Sequence, residues 1–107
     1  MAISAAQQAN HVLFQAYALA GIGDVYYDRG EYTQAIRHYQ RSRKIRCKVG
    51  DRQGEGWMLH HLALASLADG RQDQARDWGD QASSIAETRQ DPELTHACAC
   101  LRAQFST

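Results

Sequence analysis

The chain has a single proline, Pro92, in 107 residues, and no low-complexity run. A compositionally biased, disordered chain is thereby excluded. Its three cysteines, Cys47, Cys98 and Cys100, are an odd number without framework spacing. That excludes a disulfide scaffold and fits a reduced, cytoplasmic compartment. Charge of either sign is not in excess, since twelve basic residues balance twelve acidic ones. The overall charge therefore gives no reason to expect nucleic acid or an anionic membrane. No apolar run approaches the ~20 residues of a membrane span. The opening MAISAAQQAN lacks the basic start and apolar centre of a secretory signal. Period-2 alternation is absent as well, so no strand is expected.

Hydrophobic residues make up 44% of the chain, enough for the core of one small domain over residues 1–107. Their arrangement is repetitive. Shifting the sequence by 40 brings Leu19 onto Leu59, Gly30 onto Gly70, Gln34 onto Gln74, Ala35 onto Ala75, Ile45 onto Ile85 and Asp51 onto Asp91. Tyr17/Trp57, Ile22/Leu62, Gly23/Ala63 and Ser42/Ala82 are similar pairs. The matches fall where helices would start, stop or touch. One repeat spans about 11–50 and a second about 51–90, followed by a partial repeat or capping helix over 91–105.

Each unit reads as two helices. Leu19, Ile22 and Tyr26 recur at helical spacing, as do Leu59, Leu62 and Ala63. Gly30 and Gly70 stand where a helix end wants a left-handed residue, and a second amphipathic run follows each. Asp51 and Asp91 are N-caps, the latter followed by Pro92 and Glu93 in the first turn. Five antiparallel helices are expected, over Ser4–Arg29, Tyr32–Lys48, Arg52–Asp69, Gln72–Arg89 and Pro92–Phe105, with a Ser4/Gln7 capping box opening the first. Gly23, Ala35, Ser42, Ala63, Ala75 and Ala82 lack bulk where helices must approach, and Tyr26 and Tyr39 fill the gaps between them.

The order Leu19, Ile22-Gly23, Tyr26, then Ala35, Tyr39, Ser42 resembles the tetratricopeptide repeat (TPR) pattern. The second unit holds Leu59, Leu62-Ala63, Ser66, Ala75, Gly79 and Ala82 in the same slots. It departs at Ser66 and Gly79, where aromatics usually pack, and Trp78 is the residue to supply the missing bulk. The period of 40, against about 34 in the common form, resembles the long-repeat class. The resemblance implies an all-α, TPR-like helical-hairpin solenoid. On the repeat register, the chain is a slice of a longer array, a small protein that completes its stack by self-association, or a stack whose last helix is a cap.

The resemblance also implies a concave groove lined by the first helix of each pair. That places Tyr17, Ala20, Asp24, Tyr27 and Asp28 in it, then Trp57, His60, His61, Leu64 and Leu67, then Ala97, Cys100 and Leu101. Tyr17, Asp24, Tyr27, Trp57, His60, His61 and Leu64 are the expected partner-binding residues, set against the alternative that several pack internally. The Lys/Asn/Arg set of carboxylate-clamping relatives is missing, its slots holding Ala20, Asp24, His61, Ala97 and Leu101. The asparagine ladder of some long-repeat scaffolds is missing too, since Asp24 and Leu64 stand there.

Arg37, Arg41, Lys44 and Lys48 form one basic helical stripe, to which Arg43, Arg46 and Arg52 add. The equivalent later helix is acidic, with Asp73, Asp77, Asp80 and Glu87. The stripe is a docking surface, an element of charge-steered head-to-tail assembly, or a solvated outer face. Nucleic acid is disfavoured because no aromatic reading surface accompanies it. His96 and Cys100 in HACAC share a helix face, but four-ligand spacing is absent and no metal is expected; small residues packed on a helix interface account better for the motif. GIGD, Gly21–Asp24, lacks the strand and third glycine of a phosphate loop. No nucleophile–base–acid set has interpretable spacing, so neither catalysis nor a cofactor is expected. The expected function is a noncatalytic interaction module or scaffold that binds a peptide or helix in its groove, either on its own or as a segment of a larger regulatory protein. The alternative is a self-assembling module that oligomerises through open repeat ends and oppositely charged helices.

Overall fold

A computed structural model describes residues 5–105. Five helices follow one another: α1 (Ala5–Asp28), α2 (Tyr32–Lys48), α3 (Arg52–Ala68), α4 (Gln72–Arg89) and α5 (Pro92–Ala103). Among the described residues there is no strand. The Ser4/Gln7 capping box involves Ser4, which lies outside the described residues.

The helix ends follow from local chemistry. Gly30 and Gly70 have φ of 77° and 79°, the left-handed region that only glycine enters without strain. After each, the chain closes with a bond back into the preceding helix, Glu31 N–H to Tyr26 O at 2.9 Å and Arg71 N–H to Ser66 O at 2.8 Å. The Asp51 carboxylate accepts from Gly54 N–H at 3.1 Å and that of Asp91 from Glu93 and Leu94 N–H at 3.1 and 3.2 Å. Each cap satisfies backbone donors that a helix start leaves unpaired.

Sequential helices pack on one another, and α5 also touches α3. The first helices α1, α3 and α5 thus form one face, and α2 and α4 the other. The molecule measures 57 × 32 × 18 Å with a radius of gyration of 14.4 Å, above the roughly 13 Å of a compact chain this long. Such elongation is the shape of a stack that buries its seams rather than one central core.

Small residues make those seams. Ala35, Ser42, Ala63, Ala75 and Ala82 are completely buried. A Cβ built on Gly23 would lie 2.8 Å from the Tyr39 ring, and one on Gly56 would lie 2.7 Å from Leu94. Tyr39, Leu59, Leu62 and Leu94 are the large side chains locked between the helices. At Gly79 the expected space is taken by Leu101 of α5, 3.6 Å from where a Cβ would stand. Trp78 packs partly buried beside it, under the Arg43 guanidinium at 5.6 Å. Ser66 is fully buried, whereas Tyr26 in the matching slot of the first hairpin is half-buried.

Two expected members of the basic stripe are turned inward instead. Arg46 is 5% exposed and donates to Ser42 Oγ and Asp51 Oδ2. Arg43 lies on Trp78 and reaches Glu55 at 3.8 Å. Arg52 also pairs with the buried Glu55, at 3.0 Å, so these arginines close the α2–α3 junction. Arg37, Arg41, Lys44 and Lys48 remain exposed as one outer stripe. HACAC divides likewise: Cys98 is buried, whereas His96 and Cys100 are exposed and touch at 3.7 Å. The reading of the whole motif as interface packing therefore holds for Cys98 only.

Candidate functional site

Spacing along α1 and α3 brings Tyr17, Ala20, Gly21 and Asp24 to face Gln53, Trp57 and Met58 across one open pocket. Arg46 and Asp51 close its end where α2 turns into α3. Tyr17 is 64% exposed and lies over the Arg46 guanidinium, 4.5 Å from ring centre to Cζ. The contact orients Tyr17 at the mouth and shields the buried cation. Opposite, Trp57 is half-buried and meets the His60 ring edge-on at 5.8 Å.

Asp24 is exposed and accepts a hydrogen bond from the Tyr39 hydroxyl at 2.5 Å. Tyr39 in turn stacks on His61 with ring centres 5.3 Å apart. Burial, followed by the bond to Asp24, drives the Tyr39 phenol well above its usual range, so it stays a donor at any physiological pH. Burial pushes the His60 imidazole down to about 4, with His61 adding to the effect. His61 is also lowered, first by burial; Arg46 acts in the same direction and Asp24 against it. Both rings are therefore neutral at neutral pH.

Of the expected partner-binding residues, Tyr17, Asp24 and Trp57 share this pocket. His61 is half-buried and joined to it through Tyr39. Tyr27 and Leu64 are half-buried further along, Tyr27 edge-on to Tyr32 at 5.5 Å. His60 departs from expectation: at 7% exposure it packs inward beneath Trp57 and offers no groove surface. Sequence reasoning missed the floor, made by Met58 and the Arg46–Asp51 pair. The acid five residues beyond the arginine, across VGD, was the available signal.

A separate cavity lies between α4 and α5, lined by Arg76, Gly79, Asp80, Ser83, Cys98, Leu101, Arg102 and Phe105. Among the described residues no group of three or more metal-ligating side chains comes together. No helix there is long and apolar enough to cross a membrane.

A family model described as tetratricopeptide repeat matches residues 14–88. No curated protein and no solved structure matches the chain.

Proposed function

The chain belongs to the tetratricopeptide repeat family, and from that premise we propose that it is a noncatalytic interaction module, one repeat domain that receives a peptide or helix along the face of α1, α3 and α5. Members of this family generally mediate contacts between proteins. What carries the reading is the pocket between Tyr17 and Trp57. Two large aromatic walls stand on separate rigid helices over a floor made by Met58 and the Arg46–Asp51 pair, so a ligand meets a preformed surface and little side-chain ordering is required. Aromatics so placed are the residues on which binding energy concentrates. Trp57→Ala, alone or with Tyr17→Ala, is expected to weaken a groove partner about tenfold or more. Affinity capture with wild-type and variant proteins side by side checks this. Proteins retained equally by both would dismiss the groove, and loss of the helical fold would place Trp57 in the core.

A second reading has its own observation. The large exposed hydrophobics among the described residues, Phe14, Tyr17, Ile22 and Val25, all lie on α1. Ile22 shares a shallow cleft with Leu19 and Ile45, rimmed by Arg41 and Lys44. On this reading two copies cover that edge, the exposed acids of α4 meeting the basic rim of the partner. Sedimentation at several concentrations is expected to show a mass that rises with concentration, and a constant monomer dismisses it.

A further inference from the structure

We propose that the groove takes a cationic partner: a lysine or arginine side chain, carried by a peptide with apolar neighbours, seated between Tyr17 and Trp57 against the Asp24 carboxylate. The inference rests on the groove reading and adds the charge of what enters.

The protein is neutral as a whole, but its faces are not. Across Ala5–Asp28, α1 carries no lysine or arginine. α3 has only Arg52, tied to Glu55 at 3.0 Å, and α5 has only Arg102, which donates to Ser83 of α4 at 3.1 Å. Six cations stand on α2 and two on α4, with Arg29 and Arg71 in the turns. The face of α1, α3 and α5 therefore shows carboxylates without matching cations. Asp24 and Asp28 are exposed, and Glu93 of α5 occupies the repeat slot of Gln53, which lines the pocket.

The groups around the pocket agree. The hydrogen-bond donor to Asp24 is a neutral group, the Tyr39 hydroxyl, and not a cation. Arg46, the one cation in the pocket wall, has a side chain only 6% exposed and is held by Asp51 at 3.1 Å. Its flat face is already covered by Tyr17. A ligand carboxylate would have to displace Asp51 to use it, whereas a ligand cation finds Asp24 open and an aromatic ring on either side. His60 and His61 add no positive charge at neutral pH.

The test uses the full chain with Trp78→Phe, so that Trp57 is the sole tryptophan. It is titrated with a short leucine–arginine amphipathic peptide and with counterparts carrying glutamine or glutamate for every arginine. The arginine peptide is expected to shift Trp57 emission and the glutamate peptide to leave it unchanged. Asp24→Asn should weaken the arginine peptide about fivefold without weakening the glutamine one. Asp77→Asn, on the opposite face, should leave binding unchanged. Asparagine keeps an oxygen for the Tyr39 hydroxyl; should Asp24→Asn nonetheless lower the melting midpoint, the difference between the arginine and glutamine peptides on the Asp24-bearing protein carries the test. If the glutamine peptide binds as tightly as the arginine one, the groove stands and the charge inference falls. If the glutamate peptide binds tighter, Arg46 is the anchor and the inference falls. If no peptide moves Trp57, the groove reading and this inference fall together.

Discussion

Tyr39→Ala is expected to lower the unfolding free energy by about 3–5 kcal/mol. Total stability for a domain of this size is only ~5–15 kcal/mol, so the melting midpoint should fall by about 15 °C or more. The reason lies in where the ring sits. Tyr39 is 1% exposed, fills the space left by Gly23 of α1, and stacks on His61 of α3 at 5.3 Å. One side chain of α2 thus plugs three helices together. Tyr39→Phe separates packing from hydrogen bonding. It keeps the ring and gives up the bond to Asp24, whose exposed carboxylate simply rehydrates. A cost of about 1 kcal/mol or less is expected for it. Urea unfolding of both variants decides the matter: similar losses in the two would show that the hydroxyl, not the ring, holds this seam.

Why the seams and turns could be read in advance is a matter of range. A helix stop at Gly30 or Gly70, or a cap at Asp51 or Asp91, acts on backbone groups within a few residues, so sequence neighbours contain the whole cause. Spacing by 40 then transferred each reading from one hairpin to the next, and the helix bounds follow it closely. Gln90 shows the limit. It takes the slot of Gly50 and adopts φ of 52°, a conformation that costs a residue with a side chain roughly 1 kcal/mol. Nothing local in glutamine announces this. The turn is held by Asp91 N–H donating to Ala86 O at 3.0 Å, with Ala86 itself buried in the core cluster.

The pocket between α1 and α3 was legible as a direction but not as a depth. The family resemblance put Tyr17, Asp24, Trp57, His60 and His61 on one face, yet helical spacing cannot separate rim from floor. His60 and His61 are adjacent, and only their neighbours across the seam decide that His60 sinks under Trp57. The same holds for Arg46. Read along α2 alone it joins a basic stripe; its burial is caused by Asp51 across the turn and by Ser42 one helical turn back. Ser42 Oγ donates in turn to Ala16 O at 2.8 Å, a contact between residues far apart in sequence.

Asp51 does two jobs in that arrangement, and its removal is the other change with a large expected effect. Its carboxylate caps α3 through Gly54 N–H at 3.1 Å and neutralises Arg46 at 3.1 Å. Asp51→Ala loses a cap worth ~1 kcal/mol and leaves a guanidinium buried without a counter-charge, a defect of about 3 kcal/mol or more. Asp51→Asn retains an oxygen for the cap and gives up only the charge, so it should fall between wild type and Asp51→Ala. Gly54 belongs to the same design. A Cβ there would run into both Asp51 and Arg46, which outweighs the ~1 kcal/mol that glycine costs within a helix. The decisive measurement adds Arg46→Met to Asp51→Ala and follows urea unfolding. If the uncompensated charge is the main defect, removing it restores part of the stability, and the double variant unfolds at higher urea than Asp51→Ala alone. A double variant as weak as the sum of the two singles would mean that Arg46 acts by packing against Tyr17 and not by its charge.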